Sequence, residues 1–413
     1  MPDISRVICA NFQDSLRNLG GNSCQNGWVQ TDTEGDGPAV GDTAGWIVAM
    51  DVGGSGSRLT AEFRDGGRQR EGITITLEGE PVKMLSEGSN AAQVVRGLCE
   101  TFLYWVKNAE YHFQQPPHVL AAAVGTTGLT TVVPSAAEIH DIMGALLQTN
   151  RTAVAGDALT AHMGALRGRA GAVLSVGTGA VAFSFDQKGR WHRADGWGHL
   201  LGDLGAGVWV GTEALRAATA AHDGRTRGRS ERLLEVATQK LGPVASWPAQ
   251  LYMSNDRAAK LASFAPAVMS AAAEGDTTAH GILVEAGRHL AATLATALTP
   301  DIPQLASITG RLAHRPSPLT ESLHENLRQE RPGVRLVPCE GTPLDGARLL
   351  ARRLAVDPAS VVGYRPWLTV RVDGRHTAGE STDTGADMFS SMSTAQFSAT
   401  ELPNVLPDTP GIA

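Results

Sequence analysis

Two glycine-rich turns stand out as places where this chain could hold an anion. The first is Val52-Gly53-Gly54-Ser55-Gly56-Ser57-Arg58, and the second is Gly177-Thr178-Gly179. A phosphate needs several backbone N–H donors at close range, and side chains at those positions block its approach. The glycines leave the backbone bare, while Ser55, Ser57 and Thr178 add hydroxyl donors. Asp51 stands just before the first turn, where a carboxylate can hold Mg²⁺ through water, because Mg²⁺ gives up its hydration shell reluctantly. Each turn alone is equally explained as a tight reversal of the chain. Paired at equivalent places in two halves, they suggest a clamp on both flanks of a nucleotide's phosphates.

Two further segments carry candidate chemistry. Asp157 ends one apolar run and opens a helical one, and in α/β sheets ligands gather at the carboxyl ends of strands. A carboxylate there can take the proton of an attacking hydroxyl in phosphoryl transfer, or it can serve as a helix cap. Asp195-Gly196-Trp197-Gly198-His199-Leu200-Leu201-Gly202-Asp203 sets an indole face among glycines and ends in a carboxylate. That suits a sugar ring, and it also suits a buried-looking bend packed by Trp197 and Trp209. His192 and His199 lack a third ligand at metal spacing.

The elements that must position these residues follow from periodicity. Trp46-Ile47-Val48-Ala49-Met50-Asp51 reads as a buried strand, and Leu59–Phe63 as its return partner. The first turn therefore joins two strands and opens no helix, which argues against a P-loop or a dinucleotide fingerprint. Helical spacing runs over residues 91–113 and again near 135–148. Strands are predicted at 119–124 and 152–155, and a helix at 158–167. The strand, glycine turn, strand pattern then restarts at Ala172–Phe185, about 120 residues on, which implies a duplicated architecture. An Ala-rich helical region over 211–300, a strand at Leu305–Thr309 and a helix at Pro343–Arg353 complete the ordered part. The division is a lead at 1–45, one domain at 46–158 with the helix near 343–355 packing back, a second at 159–365, and a polar tail at 366–413.

Composition narrows the function classes. The chain has 413 residues, 42% hydrophobic and 19% charged, with a net charge of −7. This charge lacks the basic excess of a nucleic-acid binder, and there is no apolar run long enough to span a bilayer. The N-terminus has no secretory pattern, and the four cysteines stand far apart without metal spacing. Reducing cytosol is the expected compartment.

Together these residues resemble the BadF/N-acetylglucosamine-kinase branch of the actin-like ATPases, over roughly residues 46–360. Ala49–Arg58 is similar to the family's first phosphate motif, Ser175–Gly179 to the second, and Gly196-Trp197-Gly198-His199-Leu200-Leu201-Gly202-Asp203 to its GWGxxxGD signature. Ser307-Ile308-Thr309-Gly310-Arg311 resembles the adenosine motif, and Gly341–Ala347 the closing helix. The resemblance implies an α/β fold of two RNase-H-like domains around a cleft that takes Mg-ATP. Gly54, Ser55, Gly56, Ser57, Gly177, Thr178 and Gly179 would meet phosphates, Asp51 the metal, and Gly310 and Arg311 the adenosine. Asn90, Thr127, Asp157, Gly196, Trp197, Gly198 and Asp203 would line the sugar pocket.

N-acetylglucosamine kinases usually carry an Asp after the strand that here ends at Val124, where this chain has Gly125-Thr126-Thr127-Gly128. The base then falls to Asp157, with Asp203 second. A free 2-amine, as ammonium, favours a carboxylate partner, whereas an acetamido group asks for a roomier, partly apolar wall. The expected activity is transfer of the γ-phosphoryl of Mg-ATP to the 6-hydroxyl of glucosamine, with N-acetylglucosamine as the alternative, and a homodimer is compatible with the family. The rivals are an iron–sulfur activator ATPase, a sugar-sensing repressor and an actin- or chaperone-like ATPase. They require clustered thiolates, a helix-turn-helix and a protein ligand, respectively.

Overall fold

The computed structural model describes residues 44–377, apart from 55, 65–72, 86–87, 110–116, 130–135, 187–189 and 255. Nearly all of the N-terminal lead, the polar tail beyond 377 and the first-turn residue Ser55 lie outside the described residues. The chain begins with β1 (Gly45–Gly53), β2 (Gly56–Arg64), β3 (Ile73–Gly79) and the short pair β4 (Met84–Leu85) and β5 (Gly88–Ser89). It continues through α1 (Ala91–Asn108), β6 (Val119–Thr126), α2 (Ala136–Leu147), β7 (Arg151–Gly156) and α3 (Asp157–Ala165). A second unit follows with β8 (Gly171–Val176), β9 (Ala180–Phe185) and β10 (Trp191–Asp195). Then come α4 (Gly207–His222), α5 (Glu231–Leu241), α6 (Trp247–Tyr252), α7 (Arg257–Ala262), α8 (Ala265–Ala273) and α9 (Thr277–Ala297). The chain closes with β11 (Leu305–Thr309), α10 (Pro318–Glu330), β12 (Arg335–Leu336), α11 (Pro343–Val356), β13 (Leu368–Val372) and β14 (Arg375–Thr377).

The duplication read from the sequence is visible in the two main sheets. The first is ordered β14-β13-β7-β6-β1-β2-β3 and the second β10-β9-β8-β11-β12. In each, the leading strand pairs antiparallel with its hairpin partner and parallel with the strand on its other side. β1 is apolar along its length because it is covered on both faces. Trp46, Val48 and Met50 pack into one core with Leu98, Phe102 and Ile139, while Ile47 packs into another with Ala121, Leu159 and Leu350.

α3 carries the chain from the first sheet to the second, and α11 brings it back. The two helices touch through glycine. A Cβ on Gly164 would lie 1.9 Å from the Thr342 carbonyl oxygen, and one on Gly346 1.9 Å from that of Thr160. α11 packs on β1 and β6. Its Arg352 donates to the buried carboxylate of Glu62 on β2 at 2.6 and 2.8 Å. Among the described residues no helix is long and apolar enough to cross a membrane.

Several elements depart from expectation. The helix predicted over 91–113 ends at Asn108. β3, β10, α10 and β12 were not foreseen. Residues 368–377, read as the start of a polar tail, instead form β13 and β14 at the edge of the first sheet. The reason is a period-two pattern too short to register against the polar sequence after it, since only Leu368 and Val370 are buried in β13.

Candidate active site

Strand register gathers the first set of groups. β1, β6 and β7 run parallel, with Asp51 opposite Gly125 and Thr126 opposite Gly156. Asp51, Thr127 and Asp157 therefore emerge at the same carboxyl-terminal edge. Thr127 N–H donates to the Val52 carbonyl at 3.1 Å, and its hydroxyl donates to the Asp157 carboxylate. Gly156, not Asp157, occupies the cap position of α3. Asp157 is the first helical residue, and its Oδ1 accepts from Ala158 N–H at 2.8 Å.

The second sheet supplies the other half. Asp195 closes β10 and folds the glycine segment around itself, accepting from Gly196 N–H and Asp203 N–H at 2.7 Å and from Leu204 N–H at 2.9 Å. Asp195 and Asp203 both hold left-handed backbone, at φ 62° and 56°, a conformation that costs a non-glycine residue on the order of 1–3 kcal/mol. Asp203 Oδ1 accepts from Ala180 N–H at 3.1 Å, and a Cβ on Gly179 would lie 2.6 Å from that oxygen. Asp203 thus braces the second glycine turn, and Gly179 is glycine to admit it.

Arg193 on β10 joins the two halves. Its guanidinium interacts electrostatically with Asp195, Asp157 and Asp203, and stacks over the Trp197 ring at 4.3 Å. Asp157 comes from the first sheet and Asp203 from the second, so Arg193 gathers carboxylates of both sheets. Burial pushes the Asp157 and Asp203 carboxyls up, with Thr127 and Ala158 opposing at Asp157 and Ala180 at Asp203. Asp51 is raised to about 6, first by burial and then by the neighbouring Asp157 charge.

The fit of this site to a phosphate rests on its glycines. A Cβ added at Gly54 or Gly177 would meet nothing within 4 Å, so packing does not explain glycine there, while Gly56 is as open but is glycine for its φ of 148°. The backbone is bare toward open space, as an approaching phosphate requires. The crowding of Asp51 and Asp157 is of the kind that a divalent cation held through water relieves.

Other expected site residues sit differently. Ser57 is buried and donates its hydroxyl to the Glu80 carbonyl at 2.6 Å, so that hydroxyl is not offered to a phosphate. Thr178 is exposed in the second turn, and its carbonyl accepts from Val208 N–H at 2.9 Å. Gly310 takes φ 105°, and a Cβ there would lie 1.9 Å from the Val176 carbonyl oxygen. It is bound into the end of β8, while Arg311 beside it is exposed. Asn90 starts α1 and accepts from Lys83 N–H at 2.6 Å. Trp197 and its loop are not buried, since Trp197 is 55% exposed and Leu201 83%. Trp209 packs elsewhere, against His289.

Sequence reasoning missed Arg193 and the bracing role of Asp195. In the run His192-Arg193-Ala194-Asp195 they look like the solvated face of an edge strand. Only the sheet order, which turns that edge toward Asp157, gives them a role.

One consequence is measurable without a substrate. An Asp raised above its unfolded pKa contributes stability below about pH 4 that is lost as pH rises through its folded value. At pH 7.5 Asp51 therefore opposes folding. Asp51→Asn is expected to raise Tm at pH 7.5 and to raise it much less at pH 4.5, where the folded carboxyl is protonated and only the unfolded one has begun to ionise. Calorimetry at the two pH values checks this, and an equal shift at both would remove the electrostatic explanation.

An N-acetylmuramic acid/N-acetylglucosamine kinase of Clostridium acetobutylicum is 26% identical over 248 residues, 59% of this chain and 76% of its own length. An N-acetyl-D-glucosamine kinase of Dictyostelium discoideum is 28% identical over 206 residues, 47% of this chain and 63% of its own length. A solved candidate N-acetylglucosamine kinase from Chromobacterium violaceum shares the fold at 24% identity and a TM-score of 0.56, covering 74% of this chain and 99% of that one. The family model described as BadF/BadG/BcrA/BcrD ATPase matches residues 114–351, more than half of the sequence, and the chain belongs to that family.

Proposed function

We propose that the protein is an ATP-dependent kinase of an amino hexose, phosphorylating the 6-hydroxyl of N-acetylglucosamine. The observation that carries this reading is the convergence of Asp157 from one sheet with Arg193 and Asp203 from the other, between two turns of open glycines.

ATP would supply the phosphoryl group, with Gly54, Gly56, Gly177 and Thr178 against its phosphates and Gly310-Arg311 toward the adenosine. Asp51 would hold Mg²⁺ through water, which offsets phosphate charge. Asp157 accepts the proton of the attacking hydroxyl, and its raised pKa makes it a stronger base than an ordinary carboxylate. The Thr127 hydroxyl and Ala158 N–H hold that carboxylate in one orientation. Arg193 favours its ionised form and stands across the cleft where negative charge builds. Trp197, with Gly196 and Gly198, offers a face for the sugar ring. Asp203 hydrogen-bonds the sugar's hydroxyls, and Asn90 contributes its NH₂ end.

The acetylated sugar is preferred because both named relatives act on such sugars, and because Trp197, Leu200 and Leu201 give the loop the apolar surface an acetamido group needs. The absence of a carboxylate among Gly125–Gly128 carries no weight against it, because the Thr127 hydroxyl of that loop is bonded to Asp157. A second reading, glucosamine, is favoured by charge. Asp51, Asp157, Asp195 and Asp203 outnumber Arg193 and Arg58 among the charges at the site, and an ammonium gains from that excess. An iron–sulfur role finds no support at Cys99, whose thiol is buried in the core and pushed up to about 12 by desolvation.

ADP release measured across N-acetylglucosamine, glucosamine, glucose, mannose and N-acetylmannosamine tests the proposal. N-acetylglucosamine is expected to give the highest kcat/KM. Preference for glucosamine would move the assignment to the free amine, and stimulation by no sugar would overturn the kinase reading.

A further inference from the structure

Residues beyond the family match reach into the proposed site. The match ends at 351, yet the chain continues past α11 and pairs β13 with β7. Trp367, the residue before β13, is 6% exposed. Its carbonyl accepts from Gly156 N–H at 2.9 Å, the last strand residue before Asp157. Its ring lies against the same residue, since a Cβ on Gly156 would approach the Trp367 ring to 3.1 Å. Gly156 is thus held from both the backbone and the ring of one side chain.

The other surfaces of that ring touch the second sheet. Trp367 meets Phe183 of β9 edge-on at 5.0 Å between centroids and Trp191 of β10 at 5.3 Å. The guanidinium of Arg193, also on β10, lies 5.7 Å from the Trp367 ring centroid and stacks on Trp197 at 4.3 Å. One buried ring therefore lies between the turn that delivers Asp157 and the strand that delivers Arg193.

We propose that Trp367 is a positioning residue that sets Asp157 on the first sheet against Arg193 on the second. It rests on the kinase reading for the roles of those two groups, but the contacts themselves do not. Its indole N–H has no hydrogen-bond partner among the described residues, so shape and ring contact do the positioning. A phenylalanine keeps an aromatic ring there and preserves much of that contact. A leucine removes the ring and leaves Gly156 and Arg193 without a common support. Misplacing reacting groups by about 1 Å costs as much as ~10²-fold in rate, and the loss falls on turnover because the nucleotide is held by the glycine turns.

The test uses the full chain, with Trp367→Leu and Trp367→Phe assayed by ADP release and by titration of ATP and sugar. Trp367→Leu is expected to lower kcat ~10–10²-fold with the KM for ATP within about threefold of wild type, and Trp367→Phe to recover most of the loss. Thermal unfolding of each variant selects those that fold, and Trp367→His provides a further small-ring replacement if the leucine variant does not. Unchanged kcat in a folded leucine or histidine variant would overturn the proposal. So would a loss confined to the KM for ATP, or a phenylalanine variant as impaired as the leucine one. The wild-type assay judges the kinase reading separately. If wild type releases ADP without needing sugar, that reading fails, while the variant-to-wild-type ratio of ADP release still decides whether Trp367 positions the site.

Discussion

Asp157→Asn is expected to reduce turnover by ~10²–10⁴-fold, the span over which a positioned general base contributes, with nucleotide affinity nearly unchanged. The substitution is close to isosteric. The Thr127 hydroxyl and Ala158 N–H can still meet the carboxamide oxygen, so the turn that begins α3 keeps its shape. What disappears is the proton acceptor. Asp203 provides the contrast. It accepts from Ala180 N–H and lies beneath Gly179, so Asp203→Asn should loosen the second glycine turn and raise the KM for ATP more than it lowers kcat. Stopped-flow or steady-state kinetics with separate titrations of ATP and sugar distinguish the two patterns. If Asp203→Asn abolishes turnover and Asp157→Asn does not, the base assignment is reversed.

The same reasoning sets the pH profile. Burial raises Asp157 above the ordinary carboxylate range, and only its ionised form accepts a proton. Activity should therefore fall as pH drops through a value higher than that of an exposed Asp, and Asp157→Asn should flatten that limb. Burial is opposed at Asp157 by the Thr127 and Ala158 hydrogen bonds and then by Arg193, so the position of the limb reports how far desolvation outweighs those three groups.

The legible part of the fold was the part written in unbroken apolar runs and glycine turns. Trp46–Met50 and Ala172–Val176 are buried strands because helices or other elements cover both faces, and such strands leave a continuous apolar signal. The turns at their ends are glycine-rich enough to be located from sequence. Asp157 was legible because it follows an apolar strand in the place where α/β sheets hold ligands. Arg193 was not, because its importance comes from which strand is at the edge of the second sheet and which edge faces the first. Neither property has a local signature. Trp367 and β13 were hidden for a related reason, since a five-residue strand containing Arg371 gains its burial only by docking on β7. The glycines were found, but their roles were not separable from sequence. Gly177 faces open space, Gly179 admits a carboxylate, and Gly310 is pressed on a carbonyl.

That separation yields an expected result of comparable size. Gly177→Ala should weaken nucleotide binding by ~10–10²-fold, the equivalent of the ~1–3 kcal/mol that an intruding methyl typically costs in a close contact. It should leave the Tm of the nucleotide-free protein unchanged, because its Cβ meets nothing within 4 Å and its φ lies outside the left-handed region. The Gly177 N–H bond to the Gly179 carbonyl at 2.8 Å survives the change. Gly310→Ala should behave in the opposite way. At φ 105°, with a Cβ 1.9 Å from the Val176 carbonyl oxygen, backbone strain and overpacking together cost on the order of 3 kcal/mol or more. That lowers Tm by roughly 5–10 °C for a unit of this size, with or without ligand. Titration calorimetry with Mg-ATP and thermal scans on both variants resolve the two costs. Were Gly177→Ala to bind nucleotide as wild type does, the second turn would be a structural reversal and nothing more. Without it, the clamp on the phosphates would lose one of its two sides, and the kinase assignment would have to stand on Asp157 and the first turn alone.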